Sequence, residues 1–427
     1  MEPRLDPATV DRLLAGVDEA DAAYRRGWPG VPHTRQPVQV LYVPADRVTL
    51  DLPSRLGTEA LRLLDEHAPD TLAFGSAMGV EAPVAAEVRE RVAAKLTTEP
   101  IEDLRVDFED GYLGRSDDEE ARDTVAAATA IAAWIADGTA PPFVGLRVKS
   151  FTDGLARRSV ATLDRFLGTL IDQAGELSAG FVVTFPKIVA VEHVRAFVDV
   201  LEQLERAHGL PEGRLPFEVQ IETTPSVLDG SGRITLRAIR DAGKGRICGA
   251  HLGVYDYTAG LGLPPGQQYP QHPACDFVRH LLQVSFAGTE VRLSDGSTNA
   301  VPAADTSEEL HRVWSQHAAV VRHSLAHGYV QGWDLHVSHL VSRYATVFAD
   351  LLGGIDEVLG RLHRWYAEDQ GGGVIDEPAT IRRLEAHVQR AVDTGAVSPD
   401  DVQERTGRRF TPRPATFDSS EAGSPPG

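Results

Sequence analysis

The stretch LRVDFEDGY (104–112) ends an apolar run in Asp107, Glu109 and Asp110 and then breaks at Gly111. Three carboxylates in four positions can ligate a cation, move protons or pin a cationic side chain. Taken alone, such a cluster is more often a solvated turn. Its meaning depends on the other chemistry-bearing residues along the chain. Arg147 and Lys149 end FVGLRVK, and Lys187 follows GFVVTFP. Glu222 ends FEVQIE, and Asp256 lies in GVYDYTAGLG. Asp295 lies in LSDGS, and Asp334 and His336 end YVQGWDLH. Glu222 and Asp256 form the sharpest pair. Two carboxylates with few histidines and no thiolate nearby suit Mg²⁺ or Mn²⁺, which keep waters and take one or two protein carboxylates. Each residue also has an ordinary structural reading: Arg147 as an ion-pair partner, Lys187 as a surface cation, His336 as a hydrogen-bonded core histidine.

The elements that would position these groups are short apolar runs alternating with amphipathic segments. The runs are VQVLYV (38–43), LRVDF (104–108), FVGLRV (143–148), GFVVTF (180–185), FEVQI (217–221), RICGAHLGV (246–254), QVSFAGTEV (283–291) and YVQGWDLH (329–336). Between them lie helical segments such as DDEEARDTVAAATAIAAWIADG and EELHRVWSQHAAVVRHSLAHG, several closing on glycine as left-handed C-caps do. Apolar strands alternating with helices predict a parallel sheet covered on both faces. Eight such units predict an α/β fold of the (β/α)8 TIM-barrel type, with an insertion after the first strand and a helical C-terminal extension. An open doubly wound sheet is the alternative, although no GxGxxG follows an early strand. In a barrel the chemistry gathers at the C-terminal strand ends, which is where these ionisable residues fall.

The predicted organisation is a helical segment over 1–37, a barrel over 38–345 with an insertion at 48–103, a helical extension over 346–408 and a disordered tail over 409–427. Within the insertion, AFGSAMG (73–79) reads as a Gly/Ser loop opening a helix. Such a loop can hold an anion, though a tight turn with a helix cap is the commoner outcome. A Gly-rich break falls at Gly371–Gly373.

Composition narrows the partners. The 427 residues are 42% hydrophobic and 24% charged, which is ordinary for a globular protein with a sizeable core. The 42 Lys and Arg against 62 Asp and Glu give a formal charge of −20, which argues against a nucleic-acid or anionic-membrane partner. Only Cys248 and Cys275 are present, without CxxC spacing, so a cysteine-based zinc site is excluded. The charged, helix-like start has no apolar signal core, and no span approaches a membrane helix. The expected location is cytoplasmic.

Read together, LYVPAD, VDFEDGY followed by SDDEEAR, GLRVKS, FVVTFPKI, IETTPSVL, GVYDYTAGLG and GYVQGWDLH resemble, in order, the HpcH/HpaI aldolase / citrate lyase beta-subunit family, which includes malyl-CoA lyases. The resemblance covers roughly residues 38–345. It implies a phosphoenolpyruvate/pyruvate-type TIM barrel, usually a homo-oligomer. It also implies a Mg²⁺- or Mn²⁺-dependent carbon–carbon lyase acting on a small carboxylic acid or its acyl-CoA, with coenzyme A then part of the substrate. The family's metal-binding Glu and Asp map onto Glu222 and Asp256, and its substrate-carboxylate Arg onto Arg147, with Lys187 beside it. The acidic motif maps onto Asp107, Glu109 and Asp110, read as a catalytic rim in which Asp107 and Glu109 stay ionised. The base is sought among Asp110, Asp295 and His336. Tyr255 stands where citrate lyase-like members usually have Glu, GVYDY is similar to the WDY of malate synthases, and Val337 replaces the Pro expected after His336. A malate synthase-like condensation and a non-catalytic acid-binding barrel therefore stay open as alternatives.

Overall fold

A computed structural model describes residues 4–367 and 377–417. Eight parallel strands close into a TIM barrel in simple sequential order. They are β1 (Gln39–Pro44), β2 (Asp103–Asp107), β3 (Phe143–Arg147), β4 (Phe181–Phe185), β5 (Phe217–Ile221), β6 (Ile247–Leu252), β7 (Arg292–Asp295) and β8 (Gln331–Asp334). Closure is made by β8 against β1, with Gln39 opposite Gly332 and Leu41 opposite Asp334. The outer faces of the strands carry Leu104, Val106, Val144, Leu146, Val183, Val219 and Ile221, all buried beneath the helices in the main core.

The inner faces are different. Asp103, Arg105 and Asp107 alternate along β2, and Glu218 and Gln220 along β5 continue in the same parity to Glu222 beyond its end. All are buried. Strand side chains alternate between faces, so this period-two polar set lines the lumen while the residues between face the helices. Arg105, wholly buried, donates to Glu218 at 2.9 Å and to Thr184 at 3.1 Å, and also pairs with Asp103. Trp333 donates its indole N–H to His251, whose other nitrogen faces Glu218 at 2.9 Å. A buried arginine with two carboxylates forms a rigid floor for whatever sits above it.

Two segments depart from the sequence reading. QVSFAGTEV is not the seventh strand. Its first four residues complete the helix Pro273–Phe286, and β7 begins only at Arg292. The local β-rich composition is overridden by helical burial of Cys275, Val278, Leu282 and Phe286, and the chain turns at Gly288 with φ +72°. AFGSAMG is not a loop opening a helix either. It lies in the helix Thr71–Met78, capped by Gly79 at φ +64°, so its backbone N–H groups are not free for an anion.

Residues 52–98 form three helices, Leu52–His67, Thr71–Met78 and Ala82–Thr98, between β1 and β2. After β8 come the helices Val337–Leu352, Ile355–Tyr366, Pro378–Thr394 and Pro399–Thr406. Gly371–Gly373 fall outside the described residues, as does the end of the tail from 418. The earlier part of that tail is not disordered. The Phe417 ring lies 5.3 Å from Phe143 and 5.0 Å from the Arg292 guanidinium, and the Pro414 carbonyl accepts from the Arg35 N–H at 3.0 Å. Phe143 and Arg292 open their strands, so these residues pack against the N-terminal mouth of the barrel. Phe410 and Phe417 supply apolar anchors that the polar, proline-bearing composition around them obscures.

Candidate active site at the C-terminal rim

β2 delivers Asp107 at its last position, and the chain folds back at once over that carboxylate. The Asp107 carboxylate accepts from the Glu109 N–H and the Gly111 N–H, both at 2.9 Å. A Cβ on Gly111 would stand 2.5 Å from Asp107 Oδ2, so only glycine allows this closure. The following SDDEE is ordinary helix chemistry. Ser116 and Glu119 form a capping box, and four acids occupy the first turn of the helix Asp117–Ala136.

Arg147, at the end of the neighbouring β3, meets Asp107 as a fork. Nε and Nη2 each donate to one oxygen at 2.7 Å. The guanidinium lies over the Tyr42 ring at 5.0 Å and the Trp333 ring at 6.0 Å, which fixes its plane. Its Nη1 edge faces Glu109 at 3.2 Å and Asp110 at 3.6 Å. Arg147 and Asp107 are both buried, so the acidic stretch is a set of ion pairs at the barrel mouth rather than a solvated turn.

Lys187 follows β4 in the left-handed region, at φ +48°. A lysine held there is strained, which is a feature of functional sites. Its backbone N–H donates to Glu222 at 2.7 Å. Its ammonium lies 2.7 Å from Glu109, 2.9 Å from Asp110 and 3.1 Å from Asp256. Glu222, just past β5, is buried, with Gly253 directly behind it; a Cβ there would clash with the Glu222 side chain. Asp256 sits in the first turn of the short helix Val254–Gly260 and is half exposed.

The rim therefore holds Asp107, Glu109, Asp110, Glu222 and Asp256 around Arg147 and Lys187. With all groups ionised, the carboxylates outnumber the cations by three. The electrostatics follow from that excess. Burial, with help from Asp256 and Glu109, pushes Glu222 up to about 8 against the pull of Lys187. Burial and the neighbouring Asp110 push Glu109 up to about 7 despite Arg147 and Lys187. Desolvation thus works against the expectation that Glu109 stays ionised, outweighing the pull of its two cations. Asp110 moves the other way. Burial opposes its ionisation, but the contact with Glu109, Arg147 and Lys187 together hold it below its ordinary range.

Asp295 and His336 do not join this group. Asp295 is buried in the helix layer, where it accepts from Arg279 at 2.9 Å, from Ser324 at 2.5 Å and from the Gly296 N–H at 2.8 Å. His336 is the N-cap of the helix Val337–Leu352, accepting from the Ser338 N–H at 3.2 Å, and burial lowers its pKa. Asp334 is likewise turned outward, forked by Arg343 and 3.1 Å from His317. Lys149 is also spent outside the rim, on Glu120 at 3.2 Å and on the Phe108 carbonyl. The sequence reading missed Tyr42, Arg105, Gln220, Glu218 and His251, which floor the site. For Arg105, Glu218 and Gln220 the signal was present as the polar alternation in LRVD and FEVQIE.

A closed (β/α)8 barrel with an acidic rim threaded by one arginine and one lysine defines the class of protein. The chain belongs to the family described as a domain of unknown function (DUF6986), which matches residues 17–412. A stretch of 94 residues is 40% identical to the L-malyl-CoA/beta-methylmalyl-CoA lyase of Haloarcula marismortui, covering 22% of this chain and 25% of that protein. The match thus spans about a quarter of the relative's length. Among solved structures, the magnesium/glyoxylate complex of Haloferax volcanii malate synthase aligns with TM-score 0.49 and 16% identity, over 87% of this chain and 95% of that one. The pyruvate/acetyl-CoA ternary complex of the same enzyme gives 0.45 and 15% over the same shares. Among the described residues, no helix is long and apolar enough to cross a membrane.

Proposed function

We propose that this barrel makes or breaks a carbon–carbon bond next to a carboxylate or carbonyl, acting on a 2-oxo or hydroxy acid or its coenzyme A thioester. The observation that carries the reading is the uncompensated negative charge of the rim. Five carboxylates converge on two cations, and Glu222 is pushed up to about 8. A set of hard oxygen donors with surplus negative charge fits a divalent cation such as Mg²⁺ or Mn²⁺. The amide of Gln220, in the same lumen parity as Glu222, has neither its nitrogen nor its oxygen hydrogen-bonded within the protein, which further suits a site built for a polar ligand. The resemblance to the aldolase/citrate lyase family and the match to a lyase named for malyl-CoA support the same chemistry.

Glu222 and Asp256 would hold the cation, with Lys187 between them and the acidic stretch. When bound, such an ion supplies Lewis acidity to an oxygen that gains negative charge during the reaction. Arg147, locked in plane by Asp107 and the Tyr42 ring, would offer its Nη1 edge to a substrate carboxylate in exchange for Glu109 and Asp110. Proton transfer would fall to Glu109 or Asp110, since Asp295 is fully used by Arg279 and Ser324.

The test is turnover by the purified chain with Mg²⁺ against a panel of 2-oxo acids and hydroxyacyl-CoA thioesters. The expected result is reversible cleavage of at least one hydroxyacyl-CoA or hydroxy acid. Release of free coenzyme A during condensation would mark a malate synthase-like direction instead. Glu222→Gln with Asp256→Asn is expected to abolish both turnover and Mg²⁺ binding while the fold persists. No turnover across the panel, or unchanged Mg²⁺ affinity in the double variant, would overturn the assignment.

A further inference from the structure

A second cluster of ligating groups lies outside the barrel mouth, where the helices Pro273–Phe286 and Ser307–Ala326 face each other across the outside of the barrel. Asp276 and His280 are four residues apart on the first helix. His323 and His327 are four apart at the end of the second, where His327 is the C-cap residue. Residues at this spacing share one helix face. His323 Nε2 lies 2.8 Å from Asp276 Oδ1, and His327 Nε2 lies 3.6 Å from the same oxygen. The ligand atoms of all three fall within 4.8 Å of one another. Tetrahedral zinc with bonds of about 2.0–2.1 Å separates its ligand atoms by roughly 3.4 Å, a value these distances bracket. The His280 ring lies 5.4 Å from that of His327.

The tautomer of His327 adds an independent argument. Its Nδ1 lies 2.9 Å from the His323 carbonyl oxygen. A carbonyl only accepts, so Nδ1 carries a proton and Nε2 is the nitrogen turned toward Asp276. A backbone carbonyl on the non-ligating nitrogen is also the usual arrangement for a metal-bound histidine. Asp276 is oriented in turn by Arg279, whose Nη1 donates to Oδ1 at 2.7 Å and whose Nε reaches Asp295. The three side chains are 21–25% exposed, enough for an ion to enter and keep a water. In the comparable groups His317–Asp334–His339 and Glu66–His67–Asp305, Arg343 takes both oxygens of the buried Asp334, and Arg62 and His67 take the two oxygens of Asp305, whereas the contacts of Asp276 with Arg279, His323 and His327 all fall on Oδ1.

We infer that Asp276, His323 and His327, with water completing the coordination, form a binding site for a borderline divalent transition cation of the Zn²⁺ type. The site ties the two helices together and is separate from the hard-oxygen rim. Imidazole nitrogen favours Zn²⁺ or Co²⁺ over Mg²⁺, so the two sites are chemically distinguishable.

The experiment titrates the full chain, stripped with chelator, with Zn²⁺ alone by calorimetry and with Co²⁺ alone by visible absorption, both in excess Mg²⁺. One equivalent is expected to bind, with Co²⁺ giving the intense bands of four-coordinate geometry and Zn²⁺ raising the melting temperature. Glu222→Gln with Asp256→Asn should leave this equivalent in place. His323→Gln with His327→Gln should weaken it by more than the roughly 10–100-fold typical of losing an outer-shell partner. His327→Gln alone, which disturbs the fold least, should show the same direction, with circular dichroism confirming the helices. Absence of a bound equivalent, or Zn²⁺ affinity unchanged in the histidine variants, would overturn the inference.

Discussion

Lys187 is fastened to Glu222 by its main chain, not by its ammonium. The backbone N–H donates to Glu222 at 2.7 Å from a left-handed φ of +48°, while Nζ reaches away to Glu109, Asp110 and Asp256. One residue thus positions a buried carboxylate and neutralises three others. The strained backbone and the charge can be separated by substitution. Lys187→Met preserves the N–H and most of the side-chain volume but removes the positive charge, leaving the rim more negative. Mg²⁺ affinity measured by calorimetry is expected to rise several-fold while turnover falls. Lower Mg²⁺ affinity in this variant would mean that the ammonium helps to organise the cation site rather than competing for it.

Arg147 is expected to be irreplaceable by lysine. Its Nε and Nη2 are taken by Asp107, and two aromatic rings hold its plane, so only the flat fork keeps Nη1 turned to the rim, against Glu109 and Asp110. Lysine offers a point charge without that geometry. Arg147→Lys should lower kcat/KM by at least about tenfold, or roughly 1.4 kcal/mol, in protein shown by denaturant melts to be folded. Full activity would reduce Arg147 to a structural ion pair with Asp107.

The fold was legible because seven of the eight apolar runs are strands alternating with helices, and the rim because strands end in ionisable residues. What the runs could not reveal by position alone was facing. Asp107 and Glu222 share the lumen parity of Arg105 and Glu218, whereas Asp295 and Asp334 are shifted by one residue and turn into the helix layer. In a strand, a shift of one residue moves a side chain to the opposite face. Arg105, Glu218 and His251 escaped notice for the related reason that they sit in the interior of their runs rather than at the C-terminal ends, where chemistry was sought. β7 was misplaced because local β-rich composition competes with helical periodicity, and tertiary burial of Val278, Leu282 and Phe286 decided it.

Asp334 supplies a stability test away from the rim. It is fully buried, forked by Arg343 and 3.1 Å from His317. Burial alone would raise its pKa, but Arg343 and His317 outweigh that and hold it below the ordinary carboxylate range. A carboxylate depressed in the folded state stabilises above its unfolded pKa, near 4, and loses that contribution as pH falls toward the folded value. Asp334→Asn should destabilise the protein by about 3–5 kcal/mol at pH 7, because Arg343 is left buried without its counter-charge. Urea melts should show this gap persisting down to about pH 4 and narrowing below it. A gap that is small at pH 7 would show that Arg343 finds another partner.

Glu109 offers the sharpest test of the acidic stretch. It touches Arg147 at 3.2 Å and Lys187 at 2.7 Å, and burial pushes it up to about 7. A carboxyl poised there is part neutral at neutral pH, so glutamine imitates its protonated form in both shape and charge. Glu109→Gln should therefore cost little stability, under about 1 kcal/mol, since the folded protein already tolerates the neutral state. Function should respond differently. If Glu109 takes up or gives a proton during the reaction, or if its charge helps to draw a cation to the rim, the amide can do neither. Turnover is expected to fall by about 10²-fold or more, within the range typical of general acid–base contributions. Side-by-side melts, Mg²⁺ titrations and rates on the one variant separate these effects. A normal rate with a normal melt would return VDFEDGY to a structural role, holding Arg147 in place through Asp107 alone.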